Sequence, residues 1–229
     1  MHPTRRIGIA TTTLALALTA TPLLAQEEAR SIEDGGIHVS GWMGMPDEGS
    51  VESARLAMDG DALHVTTGPA ITYWNPANTA SGTYTVTATF REPAFMNLNN
   101  HPHPYGIVIA GNDLGTDRKS YLYCAAYGNG QFIVRGFGPE PFALNGRRAE
   151  ENPAVHRAAG QGEPVTQEIA VSVTDDAVQC AINGEVVASY PKADLVTEGR
   201  LTSTDGNYGI RFGHNTEALV TGLSVTGGM

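Results

Sequence analysis

The chain has 229 residues, with 24 acidic side chains against 14 Lys and Arg and a formal net charge of −10 at pH 7. Such a surface repels phosphate backbones and no basic cluster with interleaved aromatics offsets it, so nucleic acid is excluded as the expected partner. The length suits one large domain, and two cysteines are too few to build a cysteine metal cluster.

At the N-terminus, Arg5 and Arg6 precede an apolar stretch, residues 7–20, and small residues lead on to Ala25 before Gln26-Glu27-Glu28. That order is the order of a secretory signal peptide, with cleavage expected after Ala25. The apolar run is shorter than the roughly 20 residues that cross a bilayer. No later stretch is apolar enough to span one. The arginine pair fits both a twin-arginine and an ordinary export signal. Residues 26–229 are therefore expected to form one periplasmic or extracellular domain, in which 12 basic side chains face 24 acidic ones.

The clearest strand covers residues 83–90, where Tyr84, Val86, Ala88 and Phe90 alternate with Thr83, Thr85, Thr87 and Thr89. A period of two puts one apolar face in a core and a threonine face toward solvent or a shallow cleft. Further strands are predicted over 62–67, 105–110, 120–126, 131–137, 166–174, 178–182, 185–190, 207–214 and 220–226. Gly128-Asn129-Gly130, Asp175-Asp176 and Asn183-Gly184 separate neighbouring runs and predict antiparallel hairpins, the last with a type I′ turn. No segment after residue 25 keeps a helical period and no long repeat is visible. The predicted fold is all-β, a two-sheet antiparallel sandwich of the concanavalin-like, jelly-roll kind. Cys124 and Cys180 both fall in strand-like segments and are candidates for a disulfide in an oxidising compartment, although two buried thiols on strands that never meet fit the sequence equally.

Two long stretches without strand pattern, residues 91–104 and 138–163, are expected to be loops carrying function on a rigid scaffold. They are predicted to meet at one end of the sandwich, with the His101, His103, Tyr105 and Arg147 region forming the principal pocket. His101 and His103 lie one residue apart between prolines, so their rings project to one side and could be half of a metal site, completed by His156, His214, Asp113 or Asp117. Residues 111–117 offer oxygen donors for calcium but lack EF-hand spacing. A sugar site needs flat apolar faces and planar polar groups. Trp74, Asn99, Asn100, Tyr105, Arg135, Arg147, Arg148, Arg211, His101, His103, His156 and His214 supply them. No phosphate loop, nucleophile elbow or His-Glu-x-x-His run is present, so nucleotide chemistry, serine hydrolysis and zinc proteolysis have no positive support.

From residue 166 onward the order of strand, Asp-Asp turn, strand, Asn-Gly hairpin and strand, followed by Asp205-Gly206-Asn207-Tyr208-Gly209-Ile210-Arg211-Phe212-Gly213-His214, resembles the closing part of laminin-G-like and concanavalin-like domains. It is distantly similar to the bacterial 3-keto-disaccharide hydrolase family. The resemblance covers the last third of the chain and implies a secreted sandwich used on sugars, without carrying over any catalytic residue. The Glu-x-Asp-x-Glu strand of the family-16 glycosidases that share this architecture is missing, and Glu150-Glu151 does not replace it. The expected function is glycan or small-sugar binding, accessory to polysaccharide or glycoside use. The alternatives are a glycoside- or keto-sugar-acting hydrolase or lyase with its site on the two loops, and a protein-protein adhesion module.

Overall fold

The computed structural model describes residues 29–228, so the expected signal peptide, residues 1–25, lies outside the described residues. Two sheets pack face to face. The first is built from β1 (Gly36–Ile37), β3 (Ala54–Asp59), β4 (Ala62–Thr67), β16 (Glu217–Gly227), β6 (Tyr84–Glu92), β12 (Val165–Val173), β13 (Ala177–Ile182) and β14 (Glu185–Pro191), in that spatial order. The second runs β10 (Pro141–Ala143), β9 (Gln131–Phe137), β8 (Ser120–Tyr127), β7 (Pro104–Asn112), β15 (Gly206–Phe212), β5 (Ile71–Ala80) and β2 (Met43–Pro46), with β11 (Glu150–Glu151) also paired to β9. The pairing is antiparallel except for β1 against β3. A single-turn helix, α1 (Lys192–Leu195), follows β14, and among the described residues no helix is long and apolar enough to cross a membrane.

The alternation read in the sequence is the packing that forms. Tyr84, Val86, Ala88 and Phe90 are buried in the core, while Thr85 and Thr87 face outward and meet Ser172 and Ser224 through hydroxyls 2.8 and 3.4 Å apart. All three expected hairpins are present, joining β8 to β9, β12 to β13 and β13 to β14. Asn183 and Gly184 adopt φ of 50° and 86°, the left-handed pair a type I′ turn requires. Cys124 on β8 and Cys180 on β13 form a disulfide that ties the two sheets together through the core.

Four strands, β1, β2, β3 and β5, and the two short strands β10 and β11 lie where no strand was expected. β5 contains Asn75-Pro76-Ala77-Asn78, residues depleted in strands, and forms because β15 and β2 pair with it on either side. β10 and β11 fall inside the expected loop 138–163. They are held by backbone pairing to β9 and by Asn145, whose amide accepts from Val134 N–H and donates to the Phe132 carbonyl as a strand would. The two long connections do touch: Phe95 N–H donates to the Glu163 carbonyl at 2.9 Å, and Gly162 N–H to the Phe95 carbonyl at 2.8 Å.

The first long loop is anchored by Glu92, which is 7% exposed and accepts a hydrogen bond from Met96 N–H at 3.2 Å. Burial pushes its carboxyl from the ordinary 4.5 up to about 7, against the opposing pull of the Met96 N–H and the Tyr105 hydroxyl. A raised acid favours the protonated folded state, so this contribution to stability is complete below pH 4.5 and is lost as pH rises through about 7. With about 1.4 kcal/mol for each tenfold change in protonation constant, the loss comes to about 3 kcal/mol. Urea denaturation from pH 4 to pH 8 is expected to show that loss as a fall in the stability of the natural chain relative to Glu92→Gln, because groups such as His103, whose pKa is lowered, tilt both profiles alike. Identical profiles would exclude Glu92 as the source.

Candidate functional site

The strand period gives the second sheet an outer face of unusual composition. On β8, Leu122, Cys124 and Ala126 point into the core, which turns Tyr121, Tyr123 and Ala125 to the other side. There they join Val108 of β7 and Ile133 of β9 in a second apolar cluster, with Met45, Tyr127 and Phe137 packed against it. The cross-strand register runs Ile133, Ala125, Gly106, Arg211 and Thr72 in one row, and the small Ala125 and Gly106 leave a depression beside the arginine.

Two hollows share the walls of this depression. One, of about 230 Å³, is lined by His103, Tyr123, Tyr127, Arg135, Arg211 and His214, among others. The other, of about 460 Å³, lies toward Asp47, Phe137, Phe142 and Arg147. Tyr123, Arg135 and Arg211 belong to both, so the hollows form one trough across the sheet. A larger open depression of about 680 Å³ is lined only by residues from 151–157. It has no Tyr, Phe or Trp face and borders a single segment, so the trough is the better-built site.

Arg211 is fixed, and 7% exposed. Its guanidinium forms a bidentate pair with Asp47, and Nη1 also donates to the Thr72 hydroxyl at 2.8 Å and the Tyr121 hydroxyl at 3.1 Å. Phe137, Tyr123 and Tyr121 surround it with ring centroids 5.2, 5.0 and 5.9 Å from Cζ. Burial works against its charge, but the Tyr121 oxygen and the Asp47 carboxylate outweigh burial and raise its pKa further. Arg135 is different. One terminal nitrogen donates to the Arg147 carbonyl at 2.9 Å, while its buried Nε has no hydrogen-bond partner among the described residues. Arg147 is exposed at the rim, held there by the return of the second long loop along β9.

At the other end of the trough, His103 and His214 border the smaller hollow, and His101 stands beside them. Burial first, then the neighbouring His214 and His101 rings, push His103 down to about 3, so its ring is neutral. Asn99 is buried and donates to the carbonyls of His214 and Asn215, and Asn100 accepts from the His101 ring. Four of the expected ligand-binding residues, His103, Arg135, Arg211 and His214, thus meet on the smaller hollow, and Arg147 lines the larger.

Others are placed elsewhere. Tyr105 points inward, fully buried and stacked on Phe90 at 5.7 Å, because its position on β7 has the core parity. Trp74 is 3% exposed beneath the Gly115 turn, so its faces are closed to a ligand. Arg148 is exposed and lines neither hollow. His156 is tied to the Thr166 carbonyl at 2.8 Å and belongs to the 151–157 depression. Asp113 and Asp117 are exposed beyond the far end of β7, roughly 30 Å along the strand from His103 at about 3.3 Å per residue. Asp113 there pairs with Arg118 and its carbonyl accepts from Thr116.

Asp47, Tyr121, Tyr123, Tyr127 and Phe137 were not singled out by sequence. The tyrosines had a visible signal: in Ser120-Tyr121-Leu122-Tyr123-Cys124 they occupy the parity opposite to the core residues. Asp47 had none, since it stands 164 residues from Arg211.

No protein-family model matches the chain, and no curated protein matches its sequence. Among solved structures it is similar to the carbohydrate binding module CBM66 from Bacillus subtilis, with a TM-score of 0.55 and 8% identity, covering 84% of this chain and 99% of that one. A second Bacillus subtilis protein, of unknown function and galectin-like fold, aligns with a TM-score of 0.56 and 14% identity over 80% of this chain and 88% of its own. At such identities the likeness shows the fold: a galectin-like, concanavalin-like sandwich of two sheets.

Proposed function

We propose that this chain is an exported carbohydrate-binding module that seats a glycan, with acidic sugar units preferred, in the trough on the outer face of its second sheet. The observation that carries the reading is Arg135, which stands at the junction of both hollows with a buried Nε, beside Tyr123, that has no partner among the described residues. A buried donor without a partner costs free energy that a ligand oxygen would recover. Sugar rings present C–H faces to aromatics and hydroxyls or carboxylates to guanidinium groups, and the trough has both. Neither Arg135 nor Arg147 makes a salt bridge among the described residues, so a chain of net charge −10 keeps two cations for a ligand. The fold shared with a carbohydrate binding module supports the same reading. The inter-sheet disulfide supports export to an oxidising compartment.

Recognition is favoured over hydrolysis by one feature. Among the described residues Asp47 is the one carboxylate lining the two hollows, and it is committed to Arg211. Glycosidase chemistry calls for two carboxyl groups facing each other across the bond. The test is a glycan array with neutral and uronate-containing oligosaccharides, followed by titration of the best binder. Arg135→Ala is expected to weaken binding by roughly 10- to 100-fold, the worth of a charged hydrogen bond of about 1.5–3 kcal/mol, with little change in melting temperature. Full affinity in Arg135→Ala and Arg147→Ala would place the ligand elsewhere. Release of reducing ends during the assay would favour the enzyme.

A further inference from the structure

The β7 and β15 register continues past both strands and creates a histidine cluster. Phe212 pairs with Tyr105, Gly213 N–H donates to the Pro104 carbonyl at 2.7 Å, and the next residues outward are His214 and His103. Their ring centroids lie 3.8 Å apart, and His101 lies 4.4 Å from His103 and 5.9 Å from His214. Gly213 permits this approach: a Cβ there would stand 2.8 Å from Pro104 Cδ and 3.0 Å from His103 Cβ.

The turn behind the cluster is rigid before any ligand arrives. Thr67 Oγ1 donates to the Gly213 carbonyl at 2.7 Å, Thr216 Oγ1 and Asn99 Nδ2 donate to the His214 carbonyl at 3.1 and 3.3 Å, and Asn215 holds φ of 47°. One ligand nitrogen from each of the three rings can be chosen so that all lie within 4.8 Å of one another.

We propose that His101, His103 and His214 bind one divalent first-row transition ion, with zinc the probe of choice, at the end of the trough. Three observations support it independently of the glycan reading. His101 Nδ1 lies 2.7 Å from Asn100 Oδ1, so an amide oxygen holds the ring N–H, the outer-shell arrangement that ligating histidines use. His103 Nε2 is buried with no hydrogen-bond partner among the described residues, a cost that coordination would remove. The donor set is three imidazoles without a carboxylate or thiolate, which suits zinc, copper or nickel and not calcium.

Histidine nitrogens bind zinc at roughly 2.0–2.1 Å, which places donors of a tetrahedral site roughly 3.4 Å apart, so the rings need draw in by at most roughly 1.4 Å. His103 and His214 line the smaller hollow, which puts the proposed site at the end of the trough.

The test is calorimetric titration of zinc chloride into the metal-stripped protein, made without a histidine tag, with visible spectra of the cobalt-loaded form. One equivalent should bind, and cobalt should give the intense absorption of a tetrahedral site. His101→Ala changes an exposed side chain, so the fold should survive. It should weaken zinc binding by more than the roughly 10- to 100-fold that loss of an outer partner costs, and Asn100→Ala should fall within that range. His156→Ala should bind as the natural chain does. No saturable binding, or binding as tight as that of the natural chain in both His101→Ala and His103→Ala, would overturn the site. Glycan binding by the metal-stripped protein reads out the trough separately, so failure of one reading leaves the other standing.

Discussion

Asp47→Ala is expected to lower the unfolding free energy by about 3 kcal/mol, near the lower end of the roughly 3–5 kcal/mol for breaking a buried ion pair by removing one partner. The reason is the asymmetry of the pair. Arg211 is 8% exposed at its side chain and Asp47 36%, so the substitution strands the cation while water can reach only the carboxylate's side. Thr72 and Tyr121 still accept from Nη1, but neither carries charge, and Nη2 loses the oxygen it donates to. Asp47→Asn keeps an acceptor and should cost less. Urea denaturation of both variants checks the order, and a loss below 1 kcal/mol in Asp47→Ala would show that the aromatic surround of Tyr121, Tyr123 and Phe137 is enough to hold the guanidinium. The substitution also bears on the trough: Arg211 lines both hollows, so a folded Asp47→Ala protein with weakened glycan binding would identify the ion pair as what sets the shape of their shared wall.

What could be read from sequence follows the range of the interaction responsible. The β6 alternation and the Asn183-Gly184 turn are local, and both form as read. β5 was not legible, because its Asn and Pro residues oppose strand formation and only its neighbours β2 and β15 hold it extended. The candidate site divides the same way. His101 and His103 announce themselves by spacing, whereas their meeting with His214 depends on the pairing of β7 with β15, whose register shifts at a bulge between Asn207 and Gly209. The parity that turns Tyr105 inward is set by the same pairing, and it separates Tyr105 from the trough although Pro104 lines it. The Asp47 and Arg211 pair lies wholly beyond local reading. It needs β2 on β5 and β5 on β15, three segments drawn from opposite ends of the chain.

Replacing both cysteines, Cys124→Ala with Cys180→Ala, is expected to reduce stability by about 4 kcal/mol on the chain-entropy account of a crosslink that closes a loop of this length. The two residues are 56 apart in sequence and join β8 of one sheet to β13 of the other, so without the bridge the unfolded chain regains the freedom of that whole segment. Both side chains are at most 2% exposed, and the small voids left by alanine add to the loss. The comparison is equilibrium denaturation of the natural and doubly substituted proteins under non-reducing conditions. Two reactive thiols in the denatured natural protein, or a difference below 1 kcal/mol, would contradict the account. The consequence for the site is separable from stability. Cys124 sits on β8 between Tyr123 and Ala125, whose side chains form the trough on the opposite face. If the bridge acts through the unfolded chain alone, the folded fraction of the double variant binds glycan at full affinity. If it also holds β8 in register beneath Tyr123, binding weakens at temperatures where the fold is intact, and the two outcomes distinguish a staple of the chain from a support of the site.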